Sequence, residues 1–145
     1  MRILFVCSGN ICRSPTAEGV MRHIARERGL DIEADSAGIG AWHVGEPADA
    51  RSAEAARRRG IELESRAQQV RNADFEDYDL LVAMDHGHLR DLRSMARDDE
   101  ERAKVRLLLD DTDVPDPYYG GPSGFEDVLD LVTGGCERLA DELAA

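Results

Sequence analysis

The chain has 145 residues, 42% of them hydrophobic and 33% charged, the balance of a globular protein long enough to bury its own core. Thirty acidic residues stand against 18 basic ones, a net charge of −12, and this excludes the basic face that a nucleic-acid partner needs. No apolar run is long enough for a membrane-spanning helix, so membrane insertion is excluded too. The apolar run at the N-terminus is too short for a secretory signal, and three cysteines make no disulfide framework. The expectation is one cytoplasmic domain over residues 1–145.

Residues 2–6 read as a buried strand. Ala17, Val20, Met21, Ile24 and Ala25 then recur at helical spacing over 15–28, with Pro15 in the first turn and Gly29 as the stop. Residues 31–36 make a weaker strand, followed by a Gly-rich loop over 37–47 and a helix over 48–59 that ends in Arg57, Arg58 and Arg59. Strands are predicted at 79–84 and 104–109, with a helix over 85–96 between them. A turn-rich stretch, 110–124, leads into a last helix over 124–144 with Phe125, Val128, Leu129, Val132, Cys136, Leu139 and Leu143 on one stripe. This alternation predicts an α/β fold with a central four-stranded parallel sheet, helices on both faces, and a phosphate-binding loop after the first strand. In such sheets ligands bind at the carboxyl ends of the strands.

The loop at that place is Cys7-Ser8-Gly9-Asn10-Ile11-Cys12-Arg13-Ser14-Pro15. It leaves a strand and enters a helix, so its amides form an anion cradle backed by the helix N-terminus. Residues 8–14, namely Ser8, Gly9, Asn10, Ile11, Cys12, Arg13 and Ser14, are the expected phosphate binders. Arg13 offers a planar fork for two oxygens. The field of the cradle favours a thiolate at Cys7, the nucleophilic form, and Ser14 is placed to donate a hydrogen bond to it. A Walker-type nucleotide loop is excluded, because Gly-Lys-Ser/Thr is absent. Asn10 suits the unusual backbone angle that so tight a loop requires.

This pattern resembles the low-molecular-weight protein tyrosine phosphatase family. The likeness rests on Val6 to Pro15, on Ala17-Glu18, on Asp35-Ser36-Ala37-Gly38, on Met84-Asp85 and on Asp116-Pro117-Tyr118-Tyr119-Gly120, in order over nearly the whole chain. The resemblance implies hydrolysis of phosphotyrosine in protein substrates through a phosphocysteine, with inorganic phosphate as product and neither metal nor cofactor. It makes Cys7 the nucleophile, Arg13 the clamp and Asp116 the general acid, then base. It implies that Ser36 braces Asn10, and that Cys12 pairs reversibly with Cys7 under oxidation. Ser65 stands where the family commonly has a further bracing histidine, so that role is not carried over. Trp42 and Tyr118 are the expected walls of the substrate slot, with Tyr119 as exposed neighbour.

Three other readings stay open. Arsenate reductases of this fold need further cysteines near residues 82–88, and none is there. Protein-arginine phosphatases of the fold tend to carry Thr where Ile11 stands. A non-catalytic redox or phosphate-binding module needs no acid, which the Asp116 segment argues against. Weaker signals are set aside. Gly38 to His43 lacks the third glycine of a dinucleotide fingerprint, and Asp110 to Asp113 lacks the glycine and distal glutamate of a calcium loop. His86 and His88 read as solvated, Cys136 as core, and Arg57 to Arg59 as a solvated helix end.

Overall fold

In the computed structural model, which describes residues 1–118, 120–121 and 123–145, the first apolar run forms β1 (Arg2–Cys7). Its side chains alternate between two layers. Ile3, Phe5 and Cys7 pack on one face of the sheet, and Leu4 and Val6 on the other. The chain then forms α1 (Arg13–Arg28), which Gly29 stops in the left-handed conformation at φ 66°. β2 (Glu33–Gly38) follows, two residues later than its composition suggests. Its limits come from pairing with β1, which runs in parallel register from Arg2 opposite Glu33 to Cys7 opposite Gly38.

Next come α2 (Ala50–Arg57), a short α3 (Asp74–Asp77), β3 (Leu80–Ala83), α4 (His86–Met95), a short α5 (Asp99–Arg102), β4 (Val105–Leu107) and α6 (Ser123–Ala144). The two four-residue helices are too short to leave a periodic signal, so the sequence does not announce them. β4 is shorter than expected because its only neighbour, β3, is itself short and pairs with it over three residues, from Leu81 opposite Val105 to Ala83 opposite Leu107. The order is β2-β1-β3-β4, all parallel.

That order reverses direction beside β1, which opens a crevice at the carboxyl end of β1 where Cys7 lies. α1 and α6 cover one face of the sheet, burying Met21, Val132 and Cys136 with Phe5. α4 covers the other, burying Leu89 and Leu92 with Leu81. The arginines that end α2 are not simply solvated. Arg59 grips Glu126 and Asp130 of α6, each at 2.8 Å, and Arg58 reaches Glu126 at 3.4 Å. No helix among the described residues is long and apolar enough to cross a membrane.

Candidate active site

Cys7 ends β1 buried, and the next five residues turn tightly into α1. Asn10 makes the turn possible by standing at φ 59°, a left-handed angle that asparagine tolerates better than most residues. Gly38 allows β2 to approach, since a Cβ there would lie 2.9 Å from the Ser8 carbonyl oxygen. The loop is held further by backbone bonds from Ile39 to Cys7, Gly40 to Ser8 and Asp49 to Ile11.

Beneath the loop runs a buried chain of hydrogen bonds whose direction can be worked out. Asn10 Nδ2 donates one proton to Ser14 Oγ at 2.8 Å and the other to Ser36 Oγ at 2.9 Å. Ser36 therefore passes its own proton on, to Glu18 Oε1 at 2.7 Å. Ser14 has two acceptors within reach, Cys7 Sγ at 2.9 Å and the Ala37 carbonyl at 3.4 Å, and the shorter contact is to sulfur. Donation to Cys7 fixes the sulfur in place at the base of the loop. Asn10 Oδ1 is fixed in turn by the Gln68 amide at 3.0 Å. Burial raises the Glu18 carboxyl above its ordinary value, against hydrogen bonds from Ser36 and Ser65 and the Arg22 charge.

Arg13 is buried beside this chain. Its Nη1 donates to Asp85 Oδ2 at 2.9 Å and to the Val114 carbonyl at 3.0 Å, which leaves the Nε–Nη2 edge as the fork for an oxyanion. Asp85 caps α4, accepting the His88 amide at 2.8 Å. Val114 is bonded back to the end of β3 through its amide and the Met84 carbonyl, so the chain after it must pass the cradle. Two residues on, between Pro115 and Pro117, stands Asp116, with Oδ2 3.7 Å from Arg13 Nη2 and Oδ1 accepting the Tyr118 amide. Arg51 fastens this segment by donating to the Tyr118 carbonyl at 3.2 Å and stacking on its ring.

These parts enclose one cavity of about 360 Å³ lined by Cys7, Ser8, Gly9, Ile11, Cys12, Arg13, Trp42, His43, Asp116 and Tyr118. A buried thiol, an anion cradle, a guanidinium fork and a carboxylate on the open side suit phosphoryl transfer through a cysteine.

The chain matches the family of low molecular weight phosphotyrosine protein phosphatases over residues 2–145. A low molecular weight protein-tyrosine-phosphatase of Streptomyces coelicolor is 49% identical, with 90% of this chain and 86% of that protein covered. A protein tyrosine phosphatase from Entamoeba histolytica, solved with Hepes in its active site, superposes at a TM-score of 0.95 and 36% identity, over 99% of this chain and 97% of that one. Drosophila arginine phosphatase superposes at 0.93 and 32% identity, over 100% and 99%. The chain belongs to the low molecular weight phosphotyrosine protein phosphatase family.

Within this phosphatase frame, the structure brings together nearly every residue singled out from the sequence. Cys7, Arg13 and Asp116 meet at one cavity, and Asn10, Ser14 and Ser36 lie in one hydrogen-bonded chain beneath it. Trp42 is at the mouth, 72% exposed, with its ring over Gly40, and Tyr118 lines the same cavity. Tyr119 lies outside the described residues. Cys12 is buried and lines the cavity too, and burial pushes its thiol up to about 12, against a hydrogen bond with Ser52. Cys136 is fully buried on the inner face of α6.

At the site itself one expectation is overturned. His88 is not solvated but 4% exposed, its Nε2 2.8 Å from Ser8 Oγ in the phosphate loop. It shares a helix face with Leu92, four residues on, and that spacing was the signal. His86 is half-exposed and bonded to Asp111 and Asp113. The sequence also gave no sign of His43, which packs on Gly9 at the cavity wall with Nδ1 bonded to Glu46. Nor did it reveal Gln68, whose backbone amide takes a place at the outer end of the loop support.

Proposed function

We propose that the protein hydrolyses phosphotyrosine in protein substrates, with Cys7 as nucleophile, Arg13 and the loop amides as phosphate holders, and Asp116 as acid and then base. The observation that carries this reading is the convergence of those three side chains on a single cavity with aromatic residues at its mouth. In the first step Cys7 Sγ attacks phosphorus, the bond from phosphorus to the phenolic oxygen breaks, and protonated Asp116 supplies the proton that the leaving phenolate takes. In the second step the Asp116 carboxylate removes a proton from water as the water attacks the phosphocysteine. Inorganic phosphate leaves and the Cys7 thiolate returns.

Arg13 contributes by position as much as by charge. Because Asp85 and Val114 fix Nη1, the fork meets equatorial oxygens without reorganising. Trp42 and Tyr118 flank a flat ring, and the depth of the cradle beneath them favours a long aryl phosphate over a short phosphoserine. Ile11, an apolar side chain in the loop, supports tyrosine over arginine as the carrier of the phosphoryl group.

The test is release of phosphate from matched phosphotyrosine, phosphoserine and phosphoarginine peptides by the wild type and by Cys7→Ser. The expected result is turnover of the phosphotyrosine peptide alone, lost in Cys7→Ser although vanadate still binds. Preferred turnover of phosphoarginine would overturn the substrate, and full activity of Cys7→Ser would overturn the mechanism.

A further inference from the structure

We propose that His88 is a positioning residue that decides whether the Ser8 hydroxyl donates to an oxyanion in the cradle, so that anion binding is coupled to proton uptake by this ring. The inference rests on the phosphatase reading of the site. Its basis is a buried histidine bridging two parts of the machinery. Nε2 lies 2.8 Å from Ser8 Oγ, on the cavity wall, and Nδ1 lies 3.1 Å from Asp85 Oδ1, whose other oxygen holds Arg13. That Nδ1 is buried and, among the described residues, without a well-aligned hydrogen-bond partner.

The tautomer follows from the neighbours. A lone pair on Nδ1 would lie 3.1 Å from a carboxylate oxygen and be repelled by its charge, so in the neutral ring the proton resides on Nδ1 and Nε2 is an acceptor. Ser8 then donates inward to Nε2, and its proton is unavailable to the cavity. When the ring takes a proton from solvent, Nε2–H donates to Ser8 Oγ instead. The serine proton is released to turn toward a bound oxygen, and no covalent bond apart from the new N–H changes.

Several groups set how readily this happens. Burial holds the His88 ring below the ordinary histidine value, Asp85 opposes that, Arg13 adds to it, and Asp91 and Asp116 oppose it. Burial and Arg13 outweigh the three carboxylates and disfavour the protonated ring. A dianion in the cradle adds negative charge on the Ser8 side and shifts the balance toward the protonated ring. By linkage, the anion must then bind more tightly to the protonated form by the same factor.

The experiment is an imidazole NMR titration of the whole protein with and without saturating sulfate, which keeps its double charge across the histidine range. His88→Asn identifies the signal. The expected result is an upward movement of the His88 midpoint by about one pH unit, equivalent to about tenfold tighter sulfate binding to the protonated form. In Ser8→Ala that movement should fall by at least half, and Ser8→Thr, which keeps the hydroxyl, should restore it. A full movement in Ser8→Ala would mean that the ring senses only charge through space, and it would overturn the hydroxyl relay while leaving the phosphatase reading intact. A midpoint unmoved by bound sulfate would do the same. Failure of the wild type to bind sulfate at all would remove the cradle, and both readings with it.

Discussion

Asn10, supporting the floor of the cavity from beneath, is buried and hydrogen-bonded to Ser14, Ser36 and Gln68, whereas Trp42 on the rim is 72% exposed and rests on Gly40. The floor comes from a short stretch of chain and is braced from three directions. The rim comes from loops around 42 and 116, each held by a few contacts at the surface. The difference matches the two tasks. Holding a thiolate and a phosphate requires groups that do not move, because reorganisation during the reaction costs rate. Admitting a protein side chain requires a wall that can adapt, and such walls are drawn from the least braced segments.

Asp116 belongs to the rim by position and to the floor by chemistry, so it gives the strongest test of that division. Asp116→Asn should slow phosphotyrosine hydrolysis by roughly 10²–10⁴-fold, the range for a general acid. The loss should shrink for an aryl phosphate whose leaving group needs no proton. Comparing kcat for the two leaving groups checks this, and an equal loss for both would make Asp116 a structural residue. The unfolding midpoint should barely change, because the side chain is exposed and its contact with Arg13 is a long 3.7 Å.

A matched pair of substitutions sharpens the contrast. Asn10→Ala removes three hydrogen bonds, leaves the Gln68 amide without its acceptor, and puts alanine at a left-handed angle. It should cost about 1–3 kcal/mol in stability, read from urea midpoints, together with a large fall in kcat. Trp42→Ala should leave stability within about 0.5 kcal/mol. Its effect should appear in KM for aromatic substrates, as a rise of roughly 2–10-fold, the worth of one aromatic contact. A destabilising Trp42→Ala would show that the rim is braced as firmly as the floor.

Cys12 tests whether the floor has a second chemistry. It lines the cavity with Cys7, but burial pushes its thiol up to about 12, so little of it is thiolate near neutral pH. Peroxide should convert the Cys7 thiolate to a sulfenic acid, which the Cys12 thiolate then attacks with loss of water, forming a disulfide. Capture by so weak an acid should speed up as pH rises. Cys12→Ser should remain active yet fail to recover with thiol reductant after oxidation. Mass mapping that finds Cys136 in the disulfide would refute this pairing.

How much of this was legible in the sequence follows the same line between floor and rim. Cys7 to Ser14 is contiguous and lies at a strand-to-helix junction, so residue type and spacing reveal both the cradle and its charge. Asp116 was found through its Pro-rich setting and the family likeness, not by periodicity. His88 is hard to tell from His86 in the sequence, because both stand at the start of a helix; the spacing to Leu92 is what marks His88 as the buried one. Gln68 was beyond reach, since the group that holds Asn10 is a backbone amide, which any residue there would present.

The smallest expected effect concerns the tie between α4 and the segment leading to Asp116. Both ring nitrogens of His86 face carboxylates, Asp113 at Nδ1 and Asp111 at Nε2, and these two bonds hold the imidazole above its ordinary value. A histidine raised in the folded state contributes stability that is fully present below its unfolded value, about 6.5, and is lost as pH rises through the raised folded value. The pair lies at the surface, so the contribution is small and falls with salt. The urea midpoint of the wild type should exceed that of His86→Gln at pH 6, and the gap should close by pH 9. Asp113 also accepts the His86 backbone amide, a bond that glutamine preserves and pH does not touch. A gap of equal size at both pH values would therefore assign the tie to side-chain packing and not to charge. A closing gap makes the protonated imidazole the tie for the segment that carries Val114 to Arg13 and Asp116 to the cavity.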